Sequence, residues 1–170
     1  MEGSADEKVS TCVGAVLVAG VAVLALGATA AFADSPHFLK ATASVDSSGN
    51  LLCAFKEAGV GGTVASTNIT CAADATAVFA CINGGGNHPK ASNKETVNGP
   101  VSGGGAFPVR SGQTTGTISV GPPIAGDFSC PNGQDLVLAS VCYANATLTG
   151  EGGDTITATP NPACRTFFNV

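Results

Sequence analysis

The sequence predicts an all-β protein, an immunoglobulin-like sandwich of two sheets built from about eight or nine short strands and stapled by disulfides. Its apolar and β-branched runs are short, Gly, Asn, Ser and Pro separate them, and no stretch follows the 3.6-residue period of a helix. Six of the seven cysteines follow an N-terminal apolar segment. The chain has no Trp and only one Tyr, so its core must be built from small side chains. A β-barrel is the alternative, because it produces the same spacing of short strands.

Residues 1–33 resemble an export signal. The chain is uncharged from Val13 to Phe32 and reaches the small-residue sequence Ala31-Phe32-Ala33 just before Asp34, as at a signal-peptide cleavage site. A retained transmembrane helix is the alternative, but no basic stop-transfer cluster follows the segment. We therefore expect a secreted, extracellular protein whose single domain spans 34–170, although the acidic start MEGSADEK is unusual for an export signal.

The charge of this domain argues against several partners. Residues 1–33 contain three of the twelve acidic residues and one of the seven basic ones, which leaves a net charge of −3 in the remainder. A weakly acidic chain with scattered Lys and Arg lacks the basic surface that binds nucleic acid. An anionic membrane surface is excluded as a partner for the same reason.

The strands can be placed by alternation and by turn residues. The first two form a hairpin around the turn Asp46–Asn50, and Asp74 is expected to be a corner between two strands. A further hairpin is expected around Arg110–Gln113, the polar stretch Pro89–Gly99 is expected to be a loop, and Pro122-Pro123 should end a strand. The predicted strands are His37–Val45, Leu51–Lys56, Thr63–Cys71, Ala75–Ile82, Val101–Val109, Thr114–Val120, Leu136–Leu148, Thr155–Thr159 and Arg165–Asn169.

The even number of cysteines in an exported chain predicts three disulfides. Facing residues of a hairpin are equidistant from its turn. Cys53 and Cys71 are symmetric about the glycine-rich segment 59–62, and Cys142 and Cys164 about 150–154. We therefore predict both pairs as cross-strand bridges of hairpins. Cys81 and Cys130 remain, and their bridge should tie two distant strands or a strand to a loop.

A polar loop after Cys81 is the best candidate for a binding site. Three glycines at 84–86 permit a sharp turn or close approach to a ligand. The competing interpretation is an ordinary solvated strand exit. The candidate ligand-binding residues are Asn83, Asn87, His88, Lys90 and Lys94.

No motif predicts a cofactor, a metal site or a catalytic residue. His37 and His88 are too few for a secure metal site, and copper ligation by an N-terminal histidine would require cleavage after Pro36. Glu151 and Asp154 could hold calcium in their turn, but the spacing is not that of a known calcium loop. The carboxylates lie at or near predicted turns and are expected to face water, and they are Asp46, Glu57, Asp74, Asp127, Asp135, Glu151 and Asp154. Asn68 and Asn145 match the glycosylation acceptor pattern, which matters only in a eukaryote.

Three segments, Phe55–Gly59, Ala73–Ala77 and Asn83–Lys94, resemble small exported proteins of actinobacteria. The resemblance extends over most of the chain after residue 33 and implies export without implying an activity. Cys81 and Cys130 look typical of that group, and the other four cysteines look like additions in this chain.

Three classes of function fit the sequence. A non-catalytic extracellular binding or interaction protein is favoured, because the scaffold is stapled and no catalytic constellation is evident. A secreted enzyme acting through the His88 loop is the second class, and an extracellular protease inhibitor presenting a disulfide-anchored loop is the third.

Overall fold

The computed structural model describes residues 35–83 and 93–170, which fall within one compact unit. The predicted signal peptide, residues 1–33, lies outside the described residues. In chain order the strands of the described part are β1 (His37–Val45), β2 (Leu51–Ala58), β3 (Ser66–Asn83), β4 (Lys94–Pro108), β5 (Gln113–Val120), β6 (Gln134–Gly150), β7 (Thr155–Thr157) and β8 (Ala163–Thr166). Within these residues, no helix is long and apolar enough to cross a membrane.

The strands form two antiparallel sheets that pack face to face. Sheet A has the order β1-β2-β5, and sheet B has the order β4-β3-β6, with β7 and β8 both paired to the far edge of β6. One sheet thus contains β1, β2 and β5, and the other contains β3, β4, β6 and β7, which is an immunoglobulin-like arrangement. The predicted all-β sandwich is therefore confirmed, and the sheets do not close into a barrel.

The β1–β2 hairpin is formed as predicted. The Asp46 carboxylate accepts hydrogen bonds from the backbone N–H groups of Ser48 and Asn50 and from the Asn50 side-chain amide, at 2.8–2.9 Å. Gly49 supplies the positive φ of 89° that the turn requires. These contacts set a register in which Val45 faces Leu51.

The expected corner at Asp74 is wrong, because one long strand, β3, runs through it. Buried and exposed residues alternate from Ser66 to Ala77, and Asp74 lies on the exposed face. The irregularity falls on the neighbouring strand instead: β6 carries an extra residue between the partners of Ala72 and Asp74, where Asn145 has a φ of 55°. A bulge in the partner thus replaces the corner.

The predicted hairpin around Arg110–Gln113 is also wrong. Ser111 and Gly112 have positive φ values of 51° and 71°, as in a tight two-residue hairpin turn, and Arg110 pairs with Gln113. Beyond that bridge the chain separates, since β4 belongs to sheet B and β5 to sheet A. The turn is an arch between the sheets.

Two further boundaries differ from prediction. Part of the expected loop Pro89–Gly99 is strand, because β4 begins at Lys94 and pairs with β3 from Ala80 back to Ser66. The expected final strand Arg165–Asn169 is shorter and earlier, since β8 ends at Thr166. The predicted strand end before Pro122-Pro123 is confirmed, as β5 ends at Val120.

Small residues fill most of the core, as the composition predicts. The largest fully buried apolar side chains are Tyr143, Leu51, Ile69 and Leu148, and alanines from both sheets surround them. The Tyr143 hydroxyl donates a 2.6 Å hydrogen bond to the carbonyl of Gly49. This bond ties the centre of sheet B to the β1–β2 turn.

All three predicted disulfides are formed, but the first has a different structural role. Cys53 lies on β2 and Cys71 on β3, so the bridge joins the two sheets across the core and is not a cross-strand bridge of a hairpin. Both cysteines are fully buried.

The other two bridges match their predicted roles. Cys142 and Cys164 are direct register partners on β6 and β8, which makes their bridge a cross-strand one. The turn at 150–154 lies between these strands, although β7 is inserted along the way. Cys81 of β3 binds Cys130 in the long β5–β6 connection, a strand-to-loop staple.

Candidate functional site

The predicted binding loop leaves and re-enters sheet B at one end of the sandwich. Asn83 is the last residue of β3 and pairs with Gln134, and Lys94 is the first residue of β4 and pairs with Ala80. Both side chains are exposed. Asn87, His88 and Lys90 lie outside the described residues, so their part in this site stays a prediction.

An apolar cleft opens at the same end of the molecule. Its volume is about 430 Å³, which is within the range of small-molecule sites. Val137 in its wall pairs with Ala80 of β3, and Ala80 pairs on its other side with Lys94 of β4, so one strand separates the cleft wall from Lys94. The cleft is lined by Ser47, Ser48, Val137, Leu138, Phe167 and Phe168.

The wall formed by the two phenylalanines is held in place by the chain that follows β8. The backbone N–H groups of Phe167 and Phe168 both donate to the carbonyl of Ala139, at 2.8 and 3.1 Å. The Arg165 guanidinium stacks 5.3 Å above the Phe167 ring and donates a hydrogen bond to the carbonyl of Val45. A cation–π contact and three hydrogen bonds therefore preorganise this wall.

The chemistry of the cleft lining is apolar and uncharged. Four aliphatic or aromatic side chains belong to its lining, and the exposed residues Ser47 and Ser48 of the β1–β2 turn complete it. No lining residue can form an ion pair with a ligand. The lining therefore suits a compact, mostly apolar, neutral molecule with a hydrogen-bonding group at one edge.

Sequence reasoning missed this cleft, because its residues come from three segments that are distant in the chain. Leu138 falls within a run that reads as ordinary core strand, and Phe167 and Phe168 were assigned to a terminal strand. The one available signal was the pair of adjacent phenylalanines at the end of a chain that has few aromatics.

The opposite end of the sandwich contains a pair of buried carboxyl groups, which corrects the expectation that Glu57 and Asp154 face water. Glu57 is completely buried, since it continues the inward-facing series of β2 after Phe55. Both carboxyl oxygens of Asp154, in the β6–β7 turn, are buried as well. Carboxyl oxygens of both residues lie against Gly150, where a side chain would displace them.

Burial raises the pKa of Glu57 to about 7, and the nearby charge of Asp154 acts in the same direction. The positive charge of His37 opposes this shift. Such a pKa is typical of a catalytic acid or base, but a carboxyl group with no exposed surface cannot touch a substrate. The pair is therefore structural.

The calcium hypothesis for the 150–154 turn is not supported by its geometry. The Glu151 carboxylate turns away from Asp154 and accepts hydrogen bonds from the backbone and side-chain amides of Asn68, at 3.0 and 3.1 Å. Among residues 35–83 and 93–170 there is no group of three or more His, Cys, Asp or Glu side chains that could hold a metal ion. His37 is exposed, and its Nδ1 lies 2.9 Å from the carbonyl oxygen of Ser35.

Both glycosylation acceptor amides take part in hydrogen bonds. The Asn68 amide donates to Glu151, and the Asn145 amide donates to the Asp74 carboxylate at 2.8 Å. A glycan at Asn145 would replace one of the two hydrogens of the amide nitrogen that contacts Asp74.

Comparison of the chain with models of protein families, with curated proteins and with solved structures finds no match. The resemblance to small exported actinobacterial proteins therefore stays a prediction.

Proposed function

We propose that this protein is exported and acts outside the cell as a non-catalytic binding protein, and that the cleft between the β1–β2 turn and Phe167 receives a compact, neutral, mostly apolar ligand. The observation that carries the proposal is a preorganised, uncharged and mostly apolar cleft of about 430 Å³, whose lining includes two exposed serines. An apolar surface of this kind gains free energy when a ligand removes it from water, at about 25 cal/mol per Å².

Export is supported by the chemistry of the scaffold. Three disulfides connect sheet to sheet, strand to strand and strand to loop, and such bridges persist in oxidising compartments. The stapled framework also serves binding, because a rigid cleft loses little conformational entropy when the ligand enters.

The location of the cleft supports a role for the loop that leaves β3. Asn83 and Lys94 lie at the same end of sheet B as Val137. In this proposal they contribute polar contacts to a ligand that extends beyond the apolar walls.

A thermal-shift panel of neutral aromatic and aliphatic compounds tests the proposal, with anionic, cationic and oligosaccharide sets for comparison. We expect neutral apolar compounds alone to raise the melting temperature, since a ligand at about 100 times its Kd adds about 2.7 kcal/mol of stability. Ser48→Trp places a bulky ring at the exposed rim and should abolish the shift. Ser44→Trp, at another exposed serine that lies on β1 and outside the cleft lining, is the matched control.

Two results would contradict the proposal. One is a panel in which no neutral compound stabilises the protein. The other is a hit that binds Ser48→Trp as well as it binds Ser44→Trp, because the cleft would then not be the site.

A further inference from the structure

The carboxyl groups of Glu57 and Asp154 lie close together at Gly150, and no donor among the described residues forms a hydrogen bond with either of them. All four of their oxygens are buried, and none accepts a hydrogen bond from an N–H or O–H group of the described residues. Thr114 faces Glu57 directly across the β2–β5 pair, and its buried hydroxyl also makes no hydrogen bond there. Two ionised carboxylates in this position would repel each other strongly, because burial removes the water that would screen them.

One proton removes both difficulties. A protonated carboxyl group can donate to the neighbouring carboxylate, which satisfies one oxygen on each residue and leaves a single delocalised charge. Carboxyl oxygens of Glu57 and Asp154 lie against the same point of Gly150, so the two groups are close enough to share a proton in this way. Gly150 makes the approach possible, since a Cβ at this position would collide with both acids.

We propose that Glu57 and Asp154 share one proton, and that this proton is a pH-sensitive latch that holds the β6–β7 turn against the end of β2. Asp154 also accepts the backbone hydrogen bond from Gly150 through its own carbonyl, at 2.9 Å, so movement of its side chain disturbs the turn itself. Gly152 of the turn lies against Pro36, so opening of the latch also disturbs the start of β1.

The groups around the latch set its direction. Among residues 35–83 and 93–170, His37 of β1 is the cation that acts on Glu57, and its charge favours ionisation. Thr114 of β5 and Thr67 of β3 are neutral and buried, and Glu151 of the turn is held away by Asn68. The pKa of Glu57 lies above its ordinary value of 4.5, at about 7. The folded state therefore binds the proton more tightly than the open state, so the latch is closed in acid and opens as the pH rises through about 7.

Hydrogen exchange of the Gly150 and Gly153 amides, corrected for the intrinsic rate at each pH, tests the latch in the full chain. Between about pH 5 and about pH 8.5, we expect their protection in the wild type to fall by up to about 75-fold. A pKa change from 4.5 to about 7 sets a ratio of about 300 over the whole titration, and about fourfold of it is already lost at about pH 5. Glu57→Gln should remove this dependence, because the amide donates to Asp154 at every pH. Glu151→Gln removes a charge from the same turn and should keep it.

Asp154→Asn gives a second test, should Glu57→Gln fail to fold. It should weaken the dependence, because the amide can donate to the ionised Glu57 carboxylate, while the burial of Glu57 remains. Protection that is equal at both pH values in the wild type would overturn the proposal. A pH dependence of protection as large as that of the wild type, in Glu57→Gln or in Asp154→Asn, would also overturn it. Restoration of protection at high pH by millimolar calcium, in the wild type but not in Glu57→Gln, would also overturn it, since the pair would then hold a cation.

Discussion

Removal of the bridge between the sheets should cost more stability than removal of the bridge within sheet B. Cys53–Cys71 closes a separation of 18 residues and Cys142–Cys164 one of 22, so chain entropy predicts a loss of about 3 kcal/mol for each. Cys53 and Cys71 are also fully buried, whereas Cys142 is half-buried and Cys164 exposed. Deleting the two buried sulfur atoms adds a cavity cost of about 1–2 kcal/mol.

The perturbation is therefore the double variant Cys53→Ala/Cys71→Ala, with Cys142→Ala/Cys164→Ala as the matched control. We expect a loss of about 4–5 kcal/mol for the first and about 3 kcal/mol for the second in the free energy of unfolding by guanidinium. At about 3 °C per kcal/mol, the melting temperatures should fall by about 12–15 °C and about 9 °C. Equal losses, or a larger loss in the control, would refute the argument that the buried bridge also packs the core.

Three further predictions concern the Tyr143 hydroxyl and the β1–β2 turn. Tyr143→Phe leaves the buried carbonyl of Gly49 without its donor, so urea unfolding should show a loss of about 1–3 kcal/mol, and a loss below about 0.5 kcal/mol would contradict the importance of this bond. Burial raises the pKa of Tyr143 to about 12, so stability should decline as the pH rises from about 10 toward 12, and ultraviolet absorbance should detect tyrosinate only as the protein unfolds. Hydrogen bonds from Asn50 and Ser48 lower the pKa of Asp46. The stability that the ionised Asp46 contributes is therefore lost as the pH falls below the ordinary pKa of an aspartate. Asp46→Ala should lower the melting temperature at neutral pH and show a weaker further decline in acid, and an unchanged melting temperature would contradict the role of this turn.

The cysteine pairings could be predicted although one of the reasons was wrong. Residues that are equidistant from a turn meet in a hairpin, where they pair side by side, and also in an arch, where the two strands face each other across a core. Cys53 and Cys71 meet in the second way. Symmetry about the glycine-rich segment 59–62 is common to both geometries, so the pairing survives the error.

The same ambiguity explains the wrong hairpin at Arg110–Gln113. The turn residues and the flanking alternation are those of a hairpin, and Ser111 and Gly112 adopt hairpin dihedral angles. Whether the flanking strands pair depends on which sheet edge is free to receive each of them. Here β5 completes sheet A beside β2, and β4 completes sheet B beside β3.

Local chemistry limited what could be predicted about the sites. Glu57 looked like a solvated acid because Gly59 follows it closely, yet it occupies an inward-facing position in a strand that extends to Ala58. Its partner, Asp154, is almost a hundred residues away, and nothing in either neighbourhood indicates the other. Asn83 could be placed at a strand exit from the sequence, because the glycines that follow it are a local signal. Lys94 was expected within the loop Pro89–Gly99, whereas it begins β4.

Alternating side chains, turn residues and an even set of cysteines were enough to establish a stapled β-sandwich, since each of these signals acts over a few residues or through a symmetric turn. The assignment of strands to sheets, the assembly of the apolar cleft and the burial of two acids against Gly150 were decided by packing. They depend on contacts between segments that are far apart in the chain, and the free energy of those contacts exists only once both sheets have formed.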